Sequence, residues 1–193
     1  MFERLVRPHN RNTLAYASIL DAEGNDDDNT RYYTGVKGNS RDISPSLRRA
    51  FSKALGAQNS YIPATANSTN RLTTPGASYT TSAVHEGNSG IICKGSNAPF
   101  SIVDILEFSN NSGPGRMDIF WFVVKRYRKA TGLNTDPYAK YPHLKAKLWD
   151  TELEDDIEVL PLSSVQTHFA KCTVPIQGIN YTVVVSLDRS TPV

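Results

Sequence analysis

Apolar positions in this chain fall into short runs with a period of two, and most of those runs lie after residue 78. The strongest, MDIFWFVVKRY, is apolar at both parities from Ile119 to Val124 and turns basic at Lys125. A strand with two apolar faces is usually central and covered from both sides. This run therefore predicts a core strand, with Trp121 as core filling and Lys125, Arg126 and Arg128 emerging where the strand leaves the sheet. IQGINYTVVVSL carries the cleanest alternation, with Tyr181, Val183, Val185 and Leu187 on one face. SIVDILEF (101–108) alternates imperfectly, placing Val103 and Ile105 on one face and Ile102, Leu106 and Phe108 on the other. IEVLPLSSVQTHFAKCTV predicts a strand to Leu160, a break at Pro161, which cannot donate to a ladder, and a second strand. In that second strand Val165, Thr167 and Phe169 point one way and His168 the other, as a structural histidine bonded to a neighbouring loop. SYTTSAVHEGNSGIICKG reads as two short β segments around an EGNSG turn. These patterns together predict that Trp121, Val123, Phe169, Val183 and Val185 are buried together.

One segment has helical spacing. Ser44 suits an N-cap, Pro45 the first helical position, and Leu47, Ala50, Phe51, Ala54 and Leu55 an apolar stripe that stops at Gly56. Its Arg48, Arg49 and Lys53 read as a solvated polar face. The stretch from Gln58 to Ser78 is polar with two prolines and reads as a loop, SNNSGPG (109–115) as a turn, and LKAKLWDTEL as a short helical turn. The acidic runs EGNDDDN (23–29) and ELEDD (152–156) read as solvated turns. Short strands joined by turn-rich loops predict a mainly β fold, a small antiparallel barrel or sandwich with one N-terminal helix and a loop-rich arm. The expected organisation is a polar, loosely structured segment over 1–79, with its helix near 45–55, and a β-barrel-like domain over 80–193.

Composition narrows the chemistry. Of 193 residues only 39% are hydrophobic, which implies that part of the chain packs loosely, and 21 basic residues against 19 acidic ones leave a net charge of +2. No global polyelectrolyte signal for nucleic acid exists, so any such role rests on local clusters. Cys93 and Cys172 do not make a disulfide scaffold. His9, His85, His143 and His168 are scattered and no CxxC occurs, so neither a metal nor a cofactor is expected. No apolar run approaches the ~18 residues of a membrane span, and MFERLVRPHNRN lacks the apolar core of a signal peptide. The expectation is an intracellular protein.

Catalytic motifs are missing. Ser89 in HEGNSG lies beside Gly90 without a G-x-S-x-G elbow, and neither a Walker A loop nor GxGxxG is present. No catalytic residue is assigned, and the chain reads as a non-enzyme. The alternatives left open are a hydrolase with a dispersed site, marked by a histidine within reach of Ser89 or Cys93, and a structural remnant with no partner. Binding features are denser. Trp121, Tyr127, Tyr138, Tyr141 and Trp149 are interleaved with Lys125, Arg126, Arg128, Lys140, Lys145 and Lys147. Aromatics among cations stack bases and neutralise phosphates, or cage a methylated lysine. The competing reading puts both tryptophans in the core and leaves the lysines to solvate a loop. The candidate nucleic-acid cluster is Lys125, Arg126, Arg128 and Lys129, and the candidate aromatic surface is Tyr127, Tyr138 and Tyr141.

HEGNSGIICKG, then GRMDIFWFVVKRYRKA, then DPYAKYPHLKAKLWDTELEDDIEVLPLSSVQTHFAKCTV and a closing strand ending SLDR resemble a C-terminal region of transposon-derived proteins abundant in mushroom-forming fungi. The similarity spans roughly residues 80 to 190. It implies a small β module resembling bromo-adjacent-homology or SH3-like domains, without catalytic residues. It also implies a nuclear, DNA- or chromatin-proximal interaction role. Partners would be nucleic acid, a chromatin protein, or the remainder of a transposase-like polypeptide and its partners. No acidic transposase triad and no zinc-finger segment accompany these motifs, so transposition itself is not implied.

Overall fold

The computed structural model describes residues 34–35, 38–56, 62–96, 98–108, 120–133 and 135–187. The acidic run at 23–29 and the turn at 109–115 lie outside the described residues, as does Ile119. In chain order the strands are β1 (Thr34–Gly35), β2 (Asn39–Asp42), β3 (Thr65–Thr69), β4 (Arg71–Thr74), β5 (Ala77–Thr80), β6 (Gly90–Cys93), β7 (Pro99–Glu107), β8 (Phe120–Lys129), β9 (Ala146–Pro161), β10 (Val165–Ile176) and β11 (Ile179–Ser186). Helix α1 spans Pro45–Leu55 between β2 and β3. The fold is mainly β with a closed six-stranded antiparallel barrel and this helix. The barrel runs β7-β6-β10-β11-β9-β8 and closes through the β7–β8 pairing. Closure removes the free edges that an open sheet exposes. β3 extends the sheet from β7 and β2 extends it from β3, while β1, β4 and β5 form a separate three-stranded sheet.

The stretch expected as a loop, 58–78, holds β3, β4 and the first half of β5. These strands are built from TANST, RLTT and ASYT, whose threonines suit a half-buried pleated surface although the overall composition resembles a loop. Leu72 and Tyr79 supply the buried apolar contacts of the β4–β5 hairpin. Through the β3–β7 ladder, residues on both sides of position 80 share one sheet.

β8 is covered on both faces, as its pattern demands. Phe120, Phe122 and Val124 pack with Leu72, Tyr79, Ile91, Phe100, Ile102 and Ile105. Trp121 and Val123 face the other way, onto Leu47 and Phe51 of α1. α1 begins at Ser44, whose Oγ accepts from the Leu47 amide at 3.3 Å. It inserts Phe51 edge-on against Trp121 and Phe108, with ring centroids 5.2 and 5.5 Å apart. Full burial of a side chain such as Phe51 contributes about 1.5–3 kcal/mol, which anchors a short helix whose opposite face, Arg48, Arg49 and Lys53, is exposed.

The expected common core divides in three. Trp121 and Val123 lie under α1. Phe169 packs with Tyr127, Trp149 and Val184. Val183, with Val185 partly buried beside it, packs with Leu148 and Tyr181. Register shifts on two ladders explain the remaining departures from simple alternation. The β7–β8 register shifts between Ile102 and Asp104, so Ile102 and Ile105 join one cluster while Val103, Leu106 and Phe108 join the other. Along β9, Trp149 to Ile157 (157 − 149 = 8 steps) runs opposite Lys129 to Lys125 (129 − 125 = 4 steps). The surplus turns the acidic side chains outward while the ladder continues. From Ala146 onward LKAKLWDTEL is thus strand, with only Leu144 in a short 3-10 turn, and ELEDD is strand rather than solvated turn.

Candidate functional site

The basic end of β8 meets its own counter-charges. Arg126 donates to both carboxylate oxygens of Glu158, Nε at 2.9 Å and Nη2 at 3.1 Å, and its guanidinium lies 5.2 Å from the centroid of the Phe100 ring. The Glu158 hydrogen bond, with burial opposing it, raises the Arg126 pKa further above its already high value. Arg128 donates to Glu152 at 2.7 Å and to Asp155 at 3.1 Å. Those acids come from the bulged part of β9, which is why the pairing escapes a local reading of ELEDD. Lys125, Lys129 and Lys147 have no acidic partner among the described residues, and Lys129 and Lys147 are exposed.

Register brings these two lysines together. Residues directly opposite in an antiparallel ladder share a face. Lys129 is opposite Trp149, and Lys147 stands two residues before Trp149 on the same strand, hence on the same face. A groove of about 510 Å³ opens there, lined by Lys129, Lys147 and Arg126, by Leu133, Leu148, Trp149 and the alanines 98 and 130, and by Gly95, Ser96 and Asp136. Asp136 is its one acid among the described residues. Asp136 Oδ1 accepts from the Tyr138 amide at 2.9 Å and its Oδ2 from the Leu148 amide at 3.0 Å, so it ties the loop after β8 to the start of β9.

The aromatic residues separate. Tyr127 is buried, edge-on to Phe169 with centroids 5.9 Å apart, and its hydroxyl accepts from Lys171 Nζ at 2.7 Å. Lys171 also pairs with Glu86 at 2.6 Å. Burial works against the Lys171 charge, but its bonds to Glu86 and Tyr127 outweigh this and raise its pKa. Tyr138 is half-buried beside Leu148 and Tyr181. Tyr141 is exposed and edge-on to His143. These three tyrosines therefore do not form one surface: Tyr127 belongs to the core. Trp121 and Trp149 are core residues, Trp149 at the floor of the groove.

The residues of the dispersed hydrolase reading are engaged elsewhere. Ser89 is buried and its Oγ donates to the Glu86 carbonyl at 2.8 Å. Cys93 lies 3.9 Å from Ser164 Oγ, and burial pushes its thiol pKa up. His85 Nδ1 accepts from the Asn88 amide at 3.3 Å. His168 faces away from Phe169, stacks on Tyr79 with centroids 4.7 Å apart, and bonds the Gly90 carbonyl through Nδ1 at 3.1 Å. Its Nε2 is buried without a partner among the described residues, and burial lowers its pKa below 6.5 against the opposing Gly90 bond. Among the described residues no cluster of three or more His, Cys, Asp or Glu is arranged to hold a metal, and no helix is long and apolar enough to cross a membrane.

The groove was hidden in the sequence because it depends on a pairing between residues 129 and 149. The local signal is KAKLW, where Lys147 and Trp149 alternate as strand neighbours on one face. No family model, curated protein or solved structure matches the chain.

Proposed function

We propose that this chain is a non-catalytic interaction module that meets nucleic acid through phosphate contacts at the β8–β9 end of the barrel. The observation that carries the reading is the division among its cations. Arg126 and Arg128 are held by Glu158, Glu152 and Asp155, whereas Lys129 and Lys147 stand exposed on one face without acidic partners among the described residues. Ammonium groups of this kind neutralise phosphates without reading base sequence. The resemblance of residues 80–190 to transposon-derived fungal proteins favours a transposon origin and a nuclear, DNA- or chromatin-proximal setting.

A salt titration of binding tests this. Wild type is compared with a Lys129→Ser/Lys147→Ser variant and with a Lys125→Ser/Arg126→Ser/Arg128→Ser variant. Binding at low salt that falls steeply with salt, and is weakened more by the double than by the triple replacement, is the expected result. No binding of any nucleic acid at low salt overturns the proposal.

A further inference from the structure

We infer that the groove between Lys129 and Lys147 takes one nucleotide unit of a single strand, in preference to the backbone of a duplex; this rests on the nucleic-acid reading above. The groove offers two chemistries side by side. Its cationic part is Lys129 and Lys147, brought onto one face by the Lys129–Trp149 register. Its apolar part is Ala98, Leu133, Leu148 and Trp149. Asp136 forms no ion pair with either lysine among the described residues; its oxygens accept backbone amides, and its single negative charge offsets part of the two positive ones. Arg126 also lines the groove, but Glu158 holds it in a two-point bond.

An occupant must therefore present an anionic group and an apolar, compact group within one small volume. At about 510 Å³ the space falls within the roughly 300–1,000 Å³ usual for small-molecule sites. A single-stranded nucleotide fits that description, since its phosphate and its unstacked base are both accessible. Single-strand sites generally pair a cationic track with aromatic contacts to the base; here the apolar wall takes the place of the aromatic platform. A duplex keeps its bases stacked inside, so only its phosphates reach the rim and the apolar wall gains nothing.

The test is fluorescence anisotropy with a short labelled oligothymidylate and with a duplex of equal length, in a low-salt series. The single strand should bind about tenfold tighter than the duplex, the gain from burying roughly 50–60 Å² of apolar base surface against the wall. Replacing Lys129 and Lys147 with serine should reduce the salt slope for the single strand by about 0.7, the value for the one phosphate they share. Leu133→Glu, which puts a carboxylate against the apolar wall, should weaken the single strand more than the duplex, with the circular dichroism spectrum unchanged. Equal or tighter binding of the duplex overturns the single-strand assignment and leaves the phosphate-binding reading standing. Single-strand binding that survives both the lysine pair and Leu133→Glu overturns the groove as its site. Binding of neither probe overturns the inference together with the function on which it rests.

Discussion

The ring of Phe169 lies directly over the α-carbon of Gly90: a Cβ at position 90 would stand 2.8 Å from the ring's Cζ and within 3.0 Å of two further ring atoms. Phe169 is held in turn by Tyr127, Trp149 and Val184, so the ring cannot swing aside. β6 can therefore approach β10 closely only with glycine at its first position. Gly90→Ala should lower stability by about 1–3 kcal/mol, the usual cost of overpacking, read as a drop in the urea midpoint. Gly90→Ala combined with Phe169→Leu should recover part of that loss. An unchanged midpoint for Gly90→Ala would mean that the ring is not fixed there.

His168 gives the fold a pH dependence of defined sign. Burial lowers its pKa below the unfolded value of 6.5, and the Gly90 bond opposes this only in part. Both states are neutral well above 6.5, where the stability is full. As pH falls from 6.5 toward the lowered native value, the unfolded chain takes up a proton that the native chain resists, and stability is lost. Tyr79, stacked on the imidazole, has its hydroxyl pKa raised above 10 by burial, with the Cys93 charge second, and is silent in this window. Denaturation midpoints of wild type should fall between neutral and mildly acidic pH, and those of His168→Gln should fall less. Equal slopes would remove His168 as the source.

Arg126 and Arg128 should differ in their importance for stability. Arg126 is half-buried, bonds Glu158 through two nitrogens and lies over Phe100. The partners of Arg128, Glu152 and Asp155, are 69% and 95% exposed, which leaves that pair strongly screened. A double-mutant cycle between Arg126→Met and Glu158→Gln should give a coupling of about 0.5–1 kcal/mol after allowing for solvent. The same cycle between Arg128→Met and Asp155→Asn should give close to zero. A larger coupling at Arg128 would reverse the ranking.

Asp104 fastens the outermost strand to the sheet. Its Oδ1 accepts from Ser68 on β3 at 2.8 Å, and its buried Oδ2 faces the Arg41 guanidinium of β2 in ion-pair contact, without the geometry of a hydrogen bond. Asp104→Asn should speed hydrogen exchange at the amides of residues 39–42 and cost about 1–3 kcal/mol, as for a buried polar group whose partner is lost. Exchange that accelerates equally in β10 and β11 would point to general unfolding instead.

How much of this was legible depended on whether the governing contacts were local. α1 was readable because its cap, its first proline and its stripe lie within a dozen or so residues, a span that side-chain periodicity resolves directly. β8 was readable because an apolar pattern at both parities leaves few alternatives to a covered strand. β3 to β5 were not, since Thr, Ser and Asn serve loops and half-buried strands equally well. Only the end of β9, up to Leu160, was readable; its earlier part was missed because bulges break the period of two just where its acids cluster, and the same bulges bring Glu152 and Asp155 to Arg128. The division of the core into clusters also lay beyond the pattern. Alternation tells which residues share a face, but the coiling of the sheet decides which faces meet.

The pairing of β8 with the bulged part of β9 means that this protein carries tethered counterions. Glu158, Glu152 and Asp155 occupy positions at Arg126 and Arg128 that mobile anions would otherwise fill. A polyanion that displaces mobile ions gains their entropy of dilution. One that displaces a carboxylate fixed to the neighbouring strand gains none, and the displaced group stays nearby to repel it. The most conspicuous basic run in the sequence is thereby the part of the barrel end least able to draw nucleic acid. On the proposed function, phosphate contact falls to the lysines that the acidic strand leaves unanswered.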